Sequence, residues 1–176
     1  NHGPDIYVSE IGSNETGNGT VGSPFRTIQY ALRIVEDNET VHVLPGLYTE
    51  HLIWPMKSNV TLRGQDRNST TISGGDSFRI FEFGKDFDNQ IITNDVYEIG
   101  EVYEDLNLNG VLDANEVHYD MYDMQLNPTI ENLTIRNGYV NGTAANGYHG
   151  GAFYVYNIDN LNLNNLDILH NQVVNT

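Results

Sequence analysis

Cysteine is absent from this 176-residue chain, which excludes a disulfide frame, a thiolate zinc site and a cysteine nucleophile. Basic residues are scarce. Eight Lys and Arg stand against 24 Asp and Glu, a net charge of -16. A field of that sign repels nucleic acid and anionic membrane faces, so a cation is the more natural partner. No apolar run approaches the ~20 residues that a membrane-spanning helix needs. The opening Asn1-His2-Gly3-Pro4 has neither the basic nor the apolar stretch of a secretion signal, so any such signal lies outside these residues. What remains is enough chain for one ordinary domain.

The first assignable elements are local. Asp5 to Ser9 reads as a short strand, and Gly12 to Gly22 as a Gly/Asn/Thr loop. Ser23 then suits a helix N-cap and Pro24 the first helical position. Ile28, Ala31, Leu32 and Val35 recur at i, i+3, i+4 and i+7, which predicts one amphipathic helix from Pro24 to Val35. After it the period changes to two. Short apolar runs at Thr40 to Leu44, Leu47 to Thr49, His51 to Trp54, Asn59 to Arg63, Thr70 to Ser73 and Phe78 to Phe83 are mostly bounded by Gly, Asn, Asp or Pro. Such runs without intervening helices predict an all-β fold.

The runs also repeat. Asn59-Val60-Thr61-Leu62-Arg63 matches Asn132-Leu133-Thr134-Ile135-Arg136, and more loosely Asn165-Leu166-Asp167-Ile168-Leu169. Gly74-Gly75-Asp76-Ser77-Phe78 resembles the stretch that starts at Gly150-Gly151. A period of about thirty residues belongs to stacked repeats. Equivalent positions then lie about 4.8 Å above one another, apolar residues stack inward, and a corner Asn can bond the next rung's backbone.

These residues resemble the N-terminal part of a right-handed parallel β-helix of the pectate-lyase-like superfamily, of the bacterial secreted and surface type. The likeness is carried by Ile6-Tyr7-Val8-Ser9, by Ser23 to Ala31, by Val41 to Glu50 and by the two repeated elements. It implies one β-helix domain over 1–176, with an N-terminal cap (1–40) whose helix closes the solenoid, rungs at 41–83 and 128–176, and an insertion at 84–127. It also implies a secreted or cell-surface location. Because Asn175-Thr176 falls where another Gly-Gly rung would follow, the pattern predicts a fragment of a longer protein with an open, adhesive last rung capable of self-association.

The insertion holds nearly half of the acids and, of the Lys/Arg type, only Lys85. Within it Asp105-Leu106-Asn107-Leu108-Asn109-Gly110-Val111-Leu112-Asp113-Ala114-Asn115-Glu116 fits the twelve-residue calcium loop at every defined position. Calcium takes six to eight oxygens at roughly 2.3–2.6 Å. Asp105, Asn107 and Asn109 would supply side-chain oxygens and Val111 its carbonyl. Asp113 would act through water and Glu116 with both oxygens, while Gly110 permits the bend. With few acids among the ligands, modest affinity is expected, as in extracellular modules. The ion's role would be structural, relieving carboxylate repulsion.

No catalytic set is legible. Arg63 and Arg136 occupy equivalent places in the repeated motif and read as repeat-surface residues, with Arg67 and Arg79 near them. The six His are scattered at 2, 42, 51, 118, 149 and 170, without a metal-ligand spacing, and no nucleophile elbow or phosphate loop occurs. Tyr97, Tyr103, Tyr119 and Tyr122 gather in the insertion, where they would pack or stack on sugar rings. The expected function is a non-catalytic, calcium-stabilised scaffold for adhesion or glycan contact. The competing expectation is part of a polysaccharide lyase or glycoside hydrolase acting on acidic polysaccharide.

Overall fold

A computed structural model describes residues 3–83, 102–103, 118–119, 126–142, 150–155, 158 and 160–175. In chain order the elements are β1 (Asp5–Val8), α1 (Ile28–Ile34), β2 (Thr40–Val43), β3 (Gly46–Thr49), β4 (Leu52–Ile53), β5 (Thr61–Gly64), β6 (Thr70–Ser73) and β7 (Phe81–Glu82). Then follow β8 (Val102–Tyr103), β9 (His118–Tyr119), β10 (Thr129–Glu131), β11 (Thr134–Arg136), β12 (Tyr139–Gly142), β13 (Phe153–Tyr154), β14 (Asn162–Asn164), β15 (Asp167–Leu169) and β16 (Gln172–Asn175). The described chain is all-β in character, with mostly parallel sheets and one helix.

The chain visits three sheets in a fixed cycle. The first sheet runs β1-β2-β5-β10-β14, the second β3-β6-β11-β15 and the third β4-β7-β13. Every pairing within them is parallel. β12 and β16 add a parallel pair between the second and third sheets, whereas β8 and β9 pair antiparallel. Each circuit therefore lies in register on the one before it.

Register makes the core a set of columns. Ile6, Val41, Leu62 and Ile130 are successive partners in the first sheet and all are fully buried. Tyr48, Ile72 and Ile135 are successive partners in the second sheet and all are buried. In the third, Phe81 follows Leu52 and stacks on Phe153 with centroids 5.2 Å apart. The columns end uncovered: Leu163, which follows Ile130, is 41% exposed, and Ile168, which follows Ile135, is 47% exposed.

The corners explain the abundance of asparagine. Asn38, Asn59, Asn127 and Asn160 precede first-sheet strands with φ between 44° and 65°, a left-handed conformation that Asn tolerates better than other side chains. Their amides form a ladder: Asn59 donates to Asn38 at 2.9 Å, Asn127 to Asn59 at 3.1 Å and Asn160 to Asn127 at 3.0 Å. A second ladder joins Asn165 to Asn132 at 2.9 Å. The bonds expected from corner Asn to backbone are thus mostly amide to amide; Asn171 does bridge backbone, accepting from Gly138 N and donating to Ile135 O.

Two expectations need correction. The Asn59 and Asn132 motifs are not equivalent: Thr61 pairs with Thr129 and Thr134 with Thr71. They look alike because both corners demand left-handed Asn before a Thr-apolar strand. Arg63 consequently lies on the first sheet and Arg136 on the second. Likewise Phe81 pairs with Phe153, so the two Gly-Gly stretches are out of phase by several residues.

The helix starts later than predicted. Phe25 is bound to β1, with its N–H on Tyr7 O and its carbonyl accepting from Ser9 N, both at 2.9 Å, so Ser23 and Pro24 cannot open a helix. Thr27 is the N-cap and its hydroxyl accepts from Tyr30 N. The free N–H groups of Ile28 and Gln29 donate to the Glu50 carboxylate at 3.0 and 2.9 Å. Burial raises the Glu50 carboxyl above its usual range, and those two N–H bonds counter part of the rise.

The ladder yields a prediction. Asn59→Ala loses both amide bonds and puts at φ 58° a residue that tolerates left-handed backbone less well than Asn, and should cost about 2–3 kcal/mol. Asn59→Gly keeps the backbone and should lose about 1 kcal/mol less. Urea denaturation of both variants checks the difference.

Candidate functional site

Asp105, Asn107, Asn109, Val111, Asp113 and Glu116, the six predicted calcium ligands, lie outside the described residues, as do Tyr97 and Tyr122. Their flanks are described. Val102 pairs with Tyr119 and Tyr103 with His118, so the backbone on either side of the twelve-residue segment is brought together. That is the condition under which its first and last ligands would face one ion. Among the described residues no group of three or more His, Asp or Glu would hold a metal.

The most enclosed charged cluster among the described residues sits at the third sheet. Glu82 follows the fully buried Phe81, and its side chain is only 8% exposed. Arg79, 14% exposed, donates through Nη1 to Glu82 Oε1. The other carboxylate oxygen lies 3.5 Å from Nε2 of His51, whose side chain is 39% exposed. Arg79 is held further by the carbonyl of Gly150 at 3.2 Å and lies over the Tyr154 ring, 4.9 Å from its centroid. A charge this far from water needs both partners. The result is an imidazole placed against a fixed carboxylate, an arrangement able to move a proton.

A separate cleft of about 300 Å³ beside the helix is lined by Glu10, Arg26, Tyr48 and Glu50 among others. Tyr48 donates to Leu44 O at 2.9 Å, and its phenol is pushed up to about 12 by burial and by the charge of Glu10. It is therefore a neutral, structural tyrosine.

Of the other residues raised by the sequence, Arg63 is paired with Glu131, and Arg67 lies 3.4 Å from Asp167. His42 Nε2 lies 2.8 Å from Asp5 Oδ1, and His170 occupies a corner at φ 53°. Sequence reading missed the Glu82 cluster. Its signal was a lone acid between two aromatics, Phe81-Glu82-Phe83, where an alternating strand has no reason to bury charge unless a partner waits. That His51 and Arg79 would meet it depends on register, which local sequence does not state.

Comparison with protein-family models, with curated proteins and with solved structures finds no match.

Removing the carboxylate should expose the cost of the cluster. Glu82→Ala leaves the Arg79 guanidinium without this partner in a mostly dry place and should destabilise by roughly 3 kcal/mol. Equilibrium unfolding in urea measures it, and a loss no larger than that of an exposed ion pair, ~0.5 kcal/mol, would contradict the assignment.

Proposed function

We propose that this chain is a right-handed parallel β-helix segment of a secreted or cell-surface protein, stabilised by calcium and serving as a non-catalytic scaffold for adhesion or glycan contact. The observation that carries the reading is the in-register parallel recurrence of three sheets, joined to an antiparallel pair that closes the flanks of the calcium-type segment. A stack of short strands gives a long, stiff surface from little sequence, as a scaffold needs. The residues that would hold calcium are Asp105, Asn107, Asn109, Val111, Asp113 and Glu116, and oxygen-only donors of this spacing suit that ion. Exposed Leu163, Ile168 and Leu169 lie on the face through which copies would self-associate.

Calorimetric titration should show calcium binding with a dissociation constant on the order of 10⁻⁴–10⁻³ M, as in extracellular modules. Asp105→Ala and Glu116→Ala should each abolish the heat. A flat titration of the unaltered chain removes calcium from the reading.

The Glu82–His51 pair favours one second reading, an enzyme that cleaves acidic polysaccharide. In that case incubation with a panel of polyuronates should release products absorbing in the ultraviolet for a lyase, or reducing ends for a hydrolase. Glu82→Gln should then reduce turnover by about 10²-fold or more, the span ascribed to positioned proton transfer. No product from any member of the panel leaves the scaffold reading standing for this chain.

A further inference from the structure

The outer face of the first sheet carries a feature that the scaffold reading does not use. A cleft of about 270 Å³ opens where β1, β2 and β5 turn toward the second sheet. Tyr7, His42 and Arg63 are successive register partners on those three strands, and Gln65 and Asn132 close the far side. We propose that this cleft is a binding subsite for a single uncharged sugar ring of a glycan. The proposal rests on the glycan-contact part of the reading above and deepens it.

One wall of the cleft is fixed by close packing. Gly64 forms part of its wall, and a Cβ added there would come 2.3 Å from the Asn132 carbonyl oxygen and 2.7 Å from Leu133 Cβ. The chain at Asn132 and Leu133 therefore packs directly against Gly64, which fixes the position of that wall. Tyr7 and His42 line it as a stacked pair, centroids 4.8 Å apart and planes within 13°. Leu44 adds an apolar patch. The walls are set before any ligand arrives, since Asp5 holds His42 at 2.8 Å and Glu131 holds Arg63 through Nε.

The chemistry of the ligand follows from charge and unused hydrogen-bonding capacity. Both potential cations in the cleft already have a carboxylate beside them, so it has no surplus positive charge to attract a carboxylated or sulfated ring. The chain's charge of -16 adds repulsion. Donors and acceptors are nonetheless available. Among the described residues the Tyr7 hydroxyl, the Gln65 amide and the Asn132 Nδ2 have no hydrogen-bond partner, while Asn132 Oδ1 accepts from Asn165. Groups of both kinds converging beside an aromatic pair suit a neutral ring that has hydroxyls on its rim and apolar carbon between them. The size sets the limit: sites for drug-sized molecules span ~300–1,000 Å³, so this one takes one ring of a longer glycan.

Saturation-transfer and chemical-shift titrations with methyl glucoside, methyl galactoside, methyl mannoside and glucuronate test it on the 176-residue chain in calcium buffer. At least one neutral glycoside should bind in the millimolar range, at least fivefold tighter than glucuronate. Gln65→Ala and Tyr7→Phe should each weaken it at least threefold with unchanged melting temperature, because neither lost group is bonded within the described fold. No neutral glycoside binding at 20 mM overturns the proposal, as does tighter binding of glucuronate. Binding unchanged in both variants also overturns it, by placing the sugar elsewhere. Calcium calorimetry is read separately: a chain that binds calcium and no glycoside loses this cleft alone, and one that binds the glycoside without calcium keeps it while the calcium reading falls.

Discussion

Parallel pairing between strands one circuit apart is the constraint from which the rest follows. Once Ile6, Val41, Leu62 and Ile130 are register partners, each residue's neighbours above and below are fixed along every other column. A slip of one residue would turn the whole inward set outward. Hydrophobic burial supplies the free energy, since each fully buried Ile or Leu contributes about 1.5–3 kcal/mol. It excludes slips of one residue but not of two, which keep the same face inward. The Asn ladders exclude the rest, because amides at successive corners meet only when the strands are aligned. The left-handed φ at the same positions ties the bend and the bond to one residue type.

Strand locations were legible because each run is short, alternates and is punctuated by turn residues. Thr40–Val43, Gly46–Thr49 and Thr70–Ser73 fall where the pattern puts them. The phase of the repeat was not legible. An Asn-apolar-Thr-apolar string fits two different corners of the circuit, and only long-range pairing distinguishes them. The helix start failed for a related reason. Ser23-Pro24 is a sound local N-terminus, yet the bonds of Phe25 to β1 and the caps supplied by Asn14 and Glu50, 12 and 22 residues away from the N–H groups of Arg26 and Ile28, decide otherwise. Local propensity loses to tertiary hydrogen bonding where the chain end must be closed. The Glu82 cluster was hidden for the same cause, its members being scattered at 51, 79, 82 and 154.

The outer face of the sheets carries the chemistry because the inner face has no freedom. Inward positions serve packing, so charge and hydroxyls collect outside in rows set by register: Tyr7, His42, Arg63 and Glu131 along one line, Ile53, Glu82 and Tyr154 along another. Opposite charges neutralise each other there, along a row in the case of Arg63 with Glu131 and within one segment in that of Arg79 with Glu82. In a chain of -16 this uses up much of the scarce positive charge on the scaffold itself. Nearly half of the acids lie in the sequence between β7 and β10, where Lys85 is the one residue of the Lys/Arg type.

That interruption is tolerated because it leaves and rejoins one circuit without disturbing it. Asn59 still accepts from Asn127 and its N–H still donates to Leu126 O at 2.6 Å, across a sequence separation of 68 residues for the ladder bond. The corresponding link from β4 to β5 is a short turn. Lengthening a closed loop to that extent costs only about 1.5 kcal/mol, because the entropy grows with the logarithm of length. A calcium ion on the proposed loop, present at about ten times its dissociation constant, would contribute RT ln 11, about 1.4 kcal/mol. The two magnitudes are nearly equal. On the calcium proposal modest affinity would then suffice, because an ion at ten times its dissociation constant would offset the closure entropy of the longer loop.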